Sequence, residues 1–369
     1  MHDWEEARHA TWLELFFDLV VVVAVASLAA LLRDDHSFGG IAIFVGLLVI
    51  VWWVWISFSY FADLFDNDDV LDRVAQLTAM LGAGVLAFIL SGGVSQDSAP
   101  LAVTNAVLFG FLALLYLHAG REEPRARELC SWYVFGSATG SALWAASLLA
   151  ATPGRYVVWG VAVPVNALIS GPIAYARMRN PPTQVSHMPE RFGLFVIVVL
   201  GESILATVDG VSAISLDAEG VLIAVAGFVI AASLWWVYFD QFDEQAIDRA
   251  IAGGRSAQVR SFVYGYGHLL IYASVVAIGV GVELALEESA HENHPVPLFG
   301  IGMVAVIAGF LLISTGIGRG GAPILVGAKL GIAALATATA VLAVEPLAAV
   351  VAVAAALIGL VVLERLVRA

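Results

Sequence analysis

Long apolar runs separated by short polar segments occupy most of the chain, and they determine the elements that it predicts. The runs lie near 11–32, 40–61, 73–91, 99–118, 129–150, 155–176, 192–211, 218–239, 259–282, 297–315, 322–343 and 346–364. Each contains about 20 residues, which is the length that an α-helix needs to cross the hydrocarbon core of a bilayer. The pattern therefore predicts an all-α, polytopic integral membrane protein with about twelve transmembrane helices.

Prolines and asparagines add detail to this pattern. The last two runs are nearly continuous, and Glu345-Pro346 divides them, which predicts a helical hairpin. Pro164 and Pro172 should bend the sixth helix. Asn105 and Asn166 are expected to form hydrogen bonds between helices.

A repeated motif suggests a duplicated chain. Trp52-Trp53-Val54-Trp55 leads to Phe65-Asp66, and Trp235-Trp236-Val237-Tyr238 leads to Phe242-Asp243. We interpret these segments as corresponding parts of two six-helix repeats, one over 1–183 and the other over 184–369. Six helices per half would make the repeats parallel, related by an axis along the membrane normal. The alternative is that both segments are ordinary aromatic belts at the membrane interface.

Composition excludes several classes of protein. Hydrophobic residues make up 60% of the chain and charged residues 13%, which excludes a soluble enzyme with one anchor. The net charge of −14 argues against a nucleic-acid partner. The single cysteine, Cys130, excludes an intrachain disulfide and a thiolate zinc site. Because no His-Glu-x-x-His, Gly-x-Ser-x-Gly or glycine-rich phosphate motif occurs, we expect neither an enzyme nor a bound cofactor.

The distribution of arginines predicts the orientation of the helices. Loops on the N-terminal side hold Arg8, Arg73, Arg121, Arg125, Arg127, Arg177, Arg179, Arg191, Arg249, Arg255, Arg260, Arg319, Arg365 and Arg368. Loops on the opposite side hold only Arg33 and Arg155. Cytoplasmic loops retain positive charge during insertion, so both termini are expected in the cytoplasm. The acidic N-terminal segment does not resemble a cleaved signal.

Ionisable residues inside the runs are the candidate functional groups, because a charge at the bilayer centre is costly unless it is paired or hydrated. Glu14 and Asp18 lie one helical turn apart, and Glu202 lies deep in the seventh run beside Gly201, which would admit a helix or a water. We expect Lys329 to pair with Asp18 or Glu202. The candidate ion-binding or proton-coupling residues are Glu202, Asp18, Glu14, His268, Lys329, Arg191 and Glu190.

Two further readings stay open for these residues and for the loops. The buried side chains could pair only to hold a large bundle together. His291 and His294 resemble half a metal site, but we interpret them as solvated and expect no metal. Acidic loops over 66–72 and 240–248 would either concentrate cations at a pore mouth or be simple solvated loops.

Two segments resemble the signatures of the bacterial low temperature requirement A (LtrA) family. They are Trp12 to Val20, with Glu14-Leu15-Phe16-Phe17-Asp18, and Glu190 to Ser203, with Gly201-Glu202-Ser203; Trp235 to Asp240 resembles a third marker. The resemblance implies a multi-pass protein of the bacterial inner membrane, with a role in growth in the cold and no agreed biochemical activity. The chain departs from the pattern at Leu64, where an arginine is expected.

A weaker similarity links Phe16-Phe17-Asp18 to the first helix of the lysosomal-type two-repeat potassium channel family. Together these features favour a secondary transporter that moves a small solute or ion with proton or cation coupling. A cation channel with acidic cytoplasmic mouths is the first alternative. A structural, sensory or lipid-interacting membrane protein is the second. The partners expected are membrane lipids and a small solute or cation, and a homodimer stays open.

Overall fold

The computed structural model describes residues 11–65, 70–93, 98–178, 188–212, 218–241, 255–287, 296–316, 323–342 and 345–368. Twelve long helices form there: α1 Trp12–Asp34, α2 Phe38–Phe65, α3 Val70–Ser91, α4 Ala99–Glu122, α5 Arg127–Ser147, α6 Gly154–Leu168, α7 Met188–Ser212, α8 Ala218–Gln241, α9 Arg255–Glu287, α10 Val296–Gly316, α11 Pro323–Leu342 and α12 Pro346–Arg368. Each coincides with one predicted run. The prediction of an all-α, polytopic membrane protein is therefore confirmed.

Ten of the described helices are long and apolar enough to cross a membrane. The described part of α11 counts only as a shorter apolar helix, Val326–Thr339, and α5 is outside the ten. Polar side chains explain why α5 is not among the ten. The hydroxyl of its Ser141, for example, donates to the carbonyl of Ala106 in α4 at 2.7 Å. Such hydroxyls lower hydropathy while they join neighbouring helices.

The described contacts divide the chain into two compact units. The first comprises Met1–Ser27, Val49–Phe192 and Ile251–Phe262, and the second comprises Leu28–Leu48, Gly193–Ala250 and Val263–Ala369. In the first unit α3, α4, α5 and α6 pack in succession. In the second unit α12 packs against α8 and α11, and α11 packs against α10. The proposed repeats over 1–183 and 184–369 stay a prediction.

The sixth helix is bent, as its prolines predict. After Leu168 the chain continues through a π-helical turn, Ile169–Ile173, into the short segment Ala174–Arg177. Gly171 inside this turn has a non-helical backbone, with φ of −110° and ψ of −105°. Proline removes a helical hydrogen bond and crowds the preceding turn, which accounts for the interruption beside Pro172.

The two asparagines behave differently. Asn166 joins three helices, because its Oδ1 accepts from Trp53 Nε1 at 2.8 Å and its Nδ2 donates to the carbonyl of Gly136 at 2.9 Å. Asn105 instead donates to the carbonyl of Leu101 in its own helix at 2.9 Å. The expectation of interhelical bonding is therefore confirmed for Asn166 and wrong for the described bond of Asn105.

Candidate functional site

Asp18 and Arg191 form a buried ion pair in the first unit. Arg191 Nη2 donates to Asp18 Oδ1 at 2.8 Å, and each side chain is 1% exposed. Asp18 is the seventh residue of α1, and Arg191 is the fourth residue of α7. An ion pair this deeply buried needs close geometry and further hydrogen bonds to offset its desolvation.

Trp55 supplies one of those further bonds. Its Nε1 donates to the same Asp18 oxygen at 2.7 Å, and its ring lies 5.9 Å from the guanidinium carbon of Arg191. Phe192 packs edge-on against this ring, with centroids 5.7 Å apart. The indole therefore contributes a hydrogen bond and a cation–π contact. Sequence reasoning missed this role, because it interpreted the tryptophans of α2 as a repeated motif or, alternatively, as an interfacial belt.

Glu14 has two partners in the same cluster. Its Oε1 lies 3.6 Å from Arg191 Nη1, while its Oε2 accepts the backbone N–H of Thr11 at 2.8 Å. The Thr11 hydroxyl in turn accepts the backbone N–H of Glu14 at 3.3 Å, which completes a capping box at the start of α1. Two carboxylates thus share one guanidinium, and Asp18 Oδ2 and Arg191 Nε have no hydrogen-bond partner among the described residues.

Lys329 pairs with a residue that the sequence analysis did not consider. Its Nζ forms an ion pair with Glu364 Oε1, and both side chains are 7% exposed. Lys329 lies in the second turn of α11, and Glu364 lies in the last turns of α12. The expected pairing with Asp18 or Glu202 is therefore wrong. The hairpin explains the observed pair, because antiparallel helices bring the start of one beside the end of the other.

His268 is fully buried in α9, and both of its ring nitrogens are partnered. Nδ1 lies 2.9 Å from the carbonyl oxygen of Tyr264, and Nε2 lies 2.9 Å from the hydroxyl of Tyr238. Because a carbonyl only accepts, Nδ1 carries a proton and donates it. A neutral ring then accepts the Tyr238 hydroxyl at Nε2. The ring of Tyr272 lies 6.1 Å from the imidazole, so tyrosines of α8 and α9 surround His268.

Glu202 differs from the residues above because its carboxylate has no partner among the residues that the structure describes. It lies fourteen residues after Met188 and ten before Ser212, and it is half-buried. No hydrogen bond or ion pair to its carboxylate forms within the described part of the chain. The charged groups that act on it are both acidic, Asp209 in its own helix and Glu283 in α9.

Close contact between α7 and α9 positions Glu202. A Cβ on Gly279 would lie 2.7 Å from the hydroxyl of Ser203, and one on Gly210 would lie 3.3 Å from the carbonyl oxygen of Glu283. A Cβ at Gly279 would crowd the facing helix, so glycine at this position lets α7 and α9 approach closely. Gly201 faces open space instead, so no described helix fills the gap beside it, and the alternative of a water stays a prediction.

Glu283 is held by an arginine from α1. Arg33 Nη1 donates to Glu283 Oε1 at 2.7 Å; the Glu283 side chain is 7% exposed and the Arg33 side chain 38%. Sequence reasoning did not find this pair, because it treated Arg33 as a loop residue and did not single out Glu283.

The remaining candidate, Glu190, lies half-buried in the first turn of α7, where a carboxylate interacts favourably with the helix dipole.

The described residues contain no group of three or more His, Cys, Asp or Glu side chains that could hold a metal ion. His291 and His294 lie outside these residues, as do most of the acidic side chains over 66–72 and 242–248. Asp240 is described, and it pairs with Arg365 at 2.9 Å. Trp236 Nε1 donates to the same carboxylate at 3.1 Å.

The fold and these clusters define a multi-pass membrane protein with several ionisable groups inside its helices. The sequence model of the bacterial low temperature requirement A protein (LtrA) matches residues 9–366. The chain belongs to this family. It is similar to an uncharacterized protein of Rhizobium meliloti (strain 1021), with 29% identity over 287 residues, which cover 75% of this chain and 69% of that protein. No solved structure matches the chain.

Proposed function

We propose that the chain is a secondary transporter that moves a small solute or ion, and that Glu202 carries the coupling proton or cation. One observation supports this assignment above the others. Glu202 lies well inside α7 and lacks an ion-pair or hydrogen-bond partner in the described residues, whereas Asp18, Glu283 and Glu364 each bind a cationic side chain. An unpaired carboxylate at this depth is free to bind and release a proton.

The partners of the other ionisable residues support a structural role for them, in contrast to Glu202. Asp18 is bound by Arg191 and Trp55, Lys329 by Glu364, and His268 by Tyr238 and Tyr264. A side chain that is held by an ion pair or a hydrogen bond within the bundle stabilises the fold, and it gains little from an added ion. We therefore assign these residues to structure and leave the exchange of ions to Glu202.

The channel alternative receives less support from the geometry. Its sequence argument depends on the acidic cytoplasmic loops and on Asp18 in the Phe16-Phe17-Asp18 segment. The Asp18 carboxylate is 1% exposed and paired with Arg191. A permeating cation needs hydrated or coordinating groups that can be reached from water.

The proposal also assigns no catalytic step to the chain. It places both termini in the cytoplasm, because cytoplasmic loops keep positive charge.

Reconstituted protein tests the proposal. Proteoliposomes are loaded with a pH-sensitive dye, and sodium or potassium gradients are imposed across them. Wild-type protein should move protons in response to one of the gradients, and Glu202→Gln should abolish the movement because the amide cannot titrate. Glu219→Gln is the matched control, since Glu219 lies in the first turn of α8.

Two results would overturn the proposal. One is the absence of gradient-driven proton movement with wild-type protein, and the other is wild-type movement with Glu202→Gln. Currents that far exceed the rate of a carrier would favour the channel alternative.

A further inference from the structure

The ion pair between Arg33 and Glu283 joins α1 to α9, the helix that packs against α7 beside Glu202. We infer that this pair sets the proton affinity of Glu202 and is therefore a positioning element of the coupling site. The inference rests on the proposed function, because it gives Arg33 and Glu283 a role in the same proton exchange.

The packing of α7 on α9 is the geometric basis. Ser203, the residue after Glu202, contacts Gly279, which lies one helical turn before Glu283. Seven residues further along α7, the Cα of Gly210 faces the backbone carbonyl of Glu283. The segment of α7 from Ser203 to Gly210 therefore packs against the turn of α9 from Gly279 to Glu283.

The charges around the site come from three helices. Asp209 acts on Glu202 from α7 itself, and Glu283 acts on it from α9. Glu283 in turn is influenced by Arg33 from α1, by Glu287 one turn further along α9, and by Asp209. Arg33 binds Glu283 at 2.7 Å, so it neutralises the carboxylate whose charge acts on Glu202 from α9. The pair therefore has little net charge to act on Glu202 as long as both members are present.

Removing Arg33 and removing Glu283 should shift the titration of Glu202 in opposite directions. Without the Arg33 guanidinium, Glu283 presents an uncompensated negative charge, which disfavours ionised Glu202 and moves its titration to higher pH. Without the Glu283 carboxylate, the Arg33 cation remains and favours ionised Glu202, which moves the titration to lower pH. A role in packing alone would not produce shifts of opposite sign.

Infrared titration of purified full-length protein in lipid measures this directly. The absorption of the protonated Glu202 carboxyl is identified by its loss in Glu202→Gln, and its pH midpoint is then compared among variants. We expect Arg33→Gln to raise the midpoint by roughly half to one pH unit and Glu283→Gln to lower it by a similar amount. Arg33→Lys retains the charge and should keep the wild-type midpoint.

Arg365→Gln is the matched control, because it removes an arginine that pairs with Asp240 rather than with a residue near Glu202. Its midpoint should equal that of the wild type. Unchanged midpoints in Arg33→Gln and Glu283→Gln, or shifts in the same direction, would overturn the inference. If Glu202→Gln also leaves proton movement in liposomes intact, the proposed function fails as well; if it abolishes that movement, only the inference fails.

Discussion

Arg191 Nη2 donates to Asp18 Oδ1 at 2.8 Å, and both side chains are excluded from solvent, although one belongs to the first helix of the chain and the other to the seventh. The contact joins positions 173 residues apart in sequence. Because a buried charge without a partner is strongly destabilising, this pair ties the start of α7 to α1. It is a structural constraint on the first unit.

The Asp18 pair predicts a graded series of losses. Asp18→Asn removes the closer of the two carboxylates that share the Arg191 guanidinium, and should cost about 3 kcal/mol or more of unfolding free energy. Trp55→Phe removes one donor and should cost about 1 kcal/mol. The free energy of unfolding in SDS-containing mixed micelles measures both. Trp236→Phe is the control, because the indole of Trp236 bonds to Asp240 at the surface. Equal losses for Trp55→Phe and Trp236→Phe would contradict the assignment.

The Lys329–Glu364 pair predicts compensation between two substitutions. Lys329→Met leaves a buried carboxylate without its cation and should cost about 3 kcal/mol, while addition of Glu364→Leu should recover much of that loss. Thermal unfolding in detergent compares the single and double variants. Combining Lys329→Met with Asp18→Asn should instead give additive losses. Recovery with Asp18→Asn and none with Glu364→Leu would place the lysine elsewhere.

The bond between Tyr238 and His268 predicts a smaller effect. Tyr238→Phe removes the hydroxyl that His268 Nε2 accepts, and leaves that buried nitrogen without a partner. Hydrogen bonds within membrane bundles contribute about 0.6 kcal/mol on average, so we expect a loss near 1 kcal/mol. Tyr156→Phe, at a residue that is 41% exposed, should change the unfolding free energy much less. A loss as large for Tyr156→Phe would argue against the bond.

Helix positions could be predicted from the sequence, but the partners of the charged residues could not. A span needs about 20 apolar residues in succession, so each of the twelve helices is visible as a run. The partner of a charged residue depends on which helices are neighbours. Similar depth in the membrane is too weak a criterion for choosing it, as the wrong partners expected for Lys329 show. Antiparallel α11 and α12 place it beside Glu364, which the apolar run treated as its last residue.

Some features of the site are visible in the sequence as local patterns. Thr11-Trp12-Leu13-Glu14 has the spacing of a capping box, which gives Glu14 a structural role. Arg191 was counted as a loop cation, yet the structure buries it. The tryptophans of α2 are buried, whereas Trp235 and Trp236 are 48% and 44% exposed, so similar motifs occupy different environments. Burial of this kind depends on tertiary packing, which periodicity does not contain.

The predicted orientation is open to chemical labelling. In a Cys130→Ala background, a cysteine at Asn293 should react with a membrane-impermeant maleimide applied to intact cells, and one at Arg125 should react only after the cells are lysed. The reason is the excess of arginines in the loops on the N-terminal side. Reaction at Arg125→Cys in intact cells would reverse the orientation and place both termini outside.

Modification by a hydrophobic carbodiimide tests the central claim most directly, because this reagent attacks protonated carboxyls that are accessible from the membrane. After digestion, mass spectrometry measures how much each acidic residue is modified as a function of pH. We expect modification at Glu202 that increases as the pH falls, with little at Asp18, Glu283 or Glu364, whose carboxylates are held by cations. Absence of modification at Glu202, or equal modification at the paired residues, would contradict the claim that Glu202 is the proton-exchanging carboxylate.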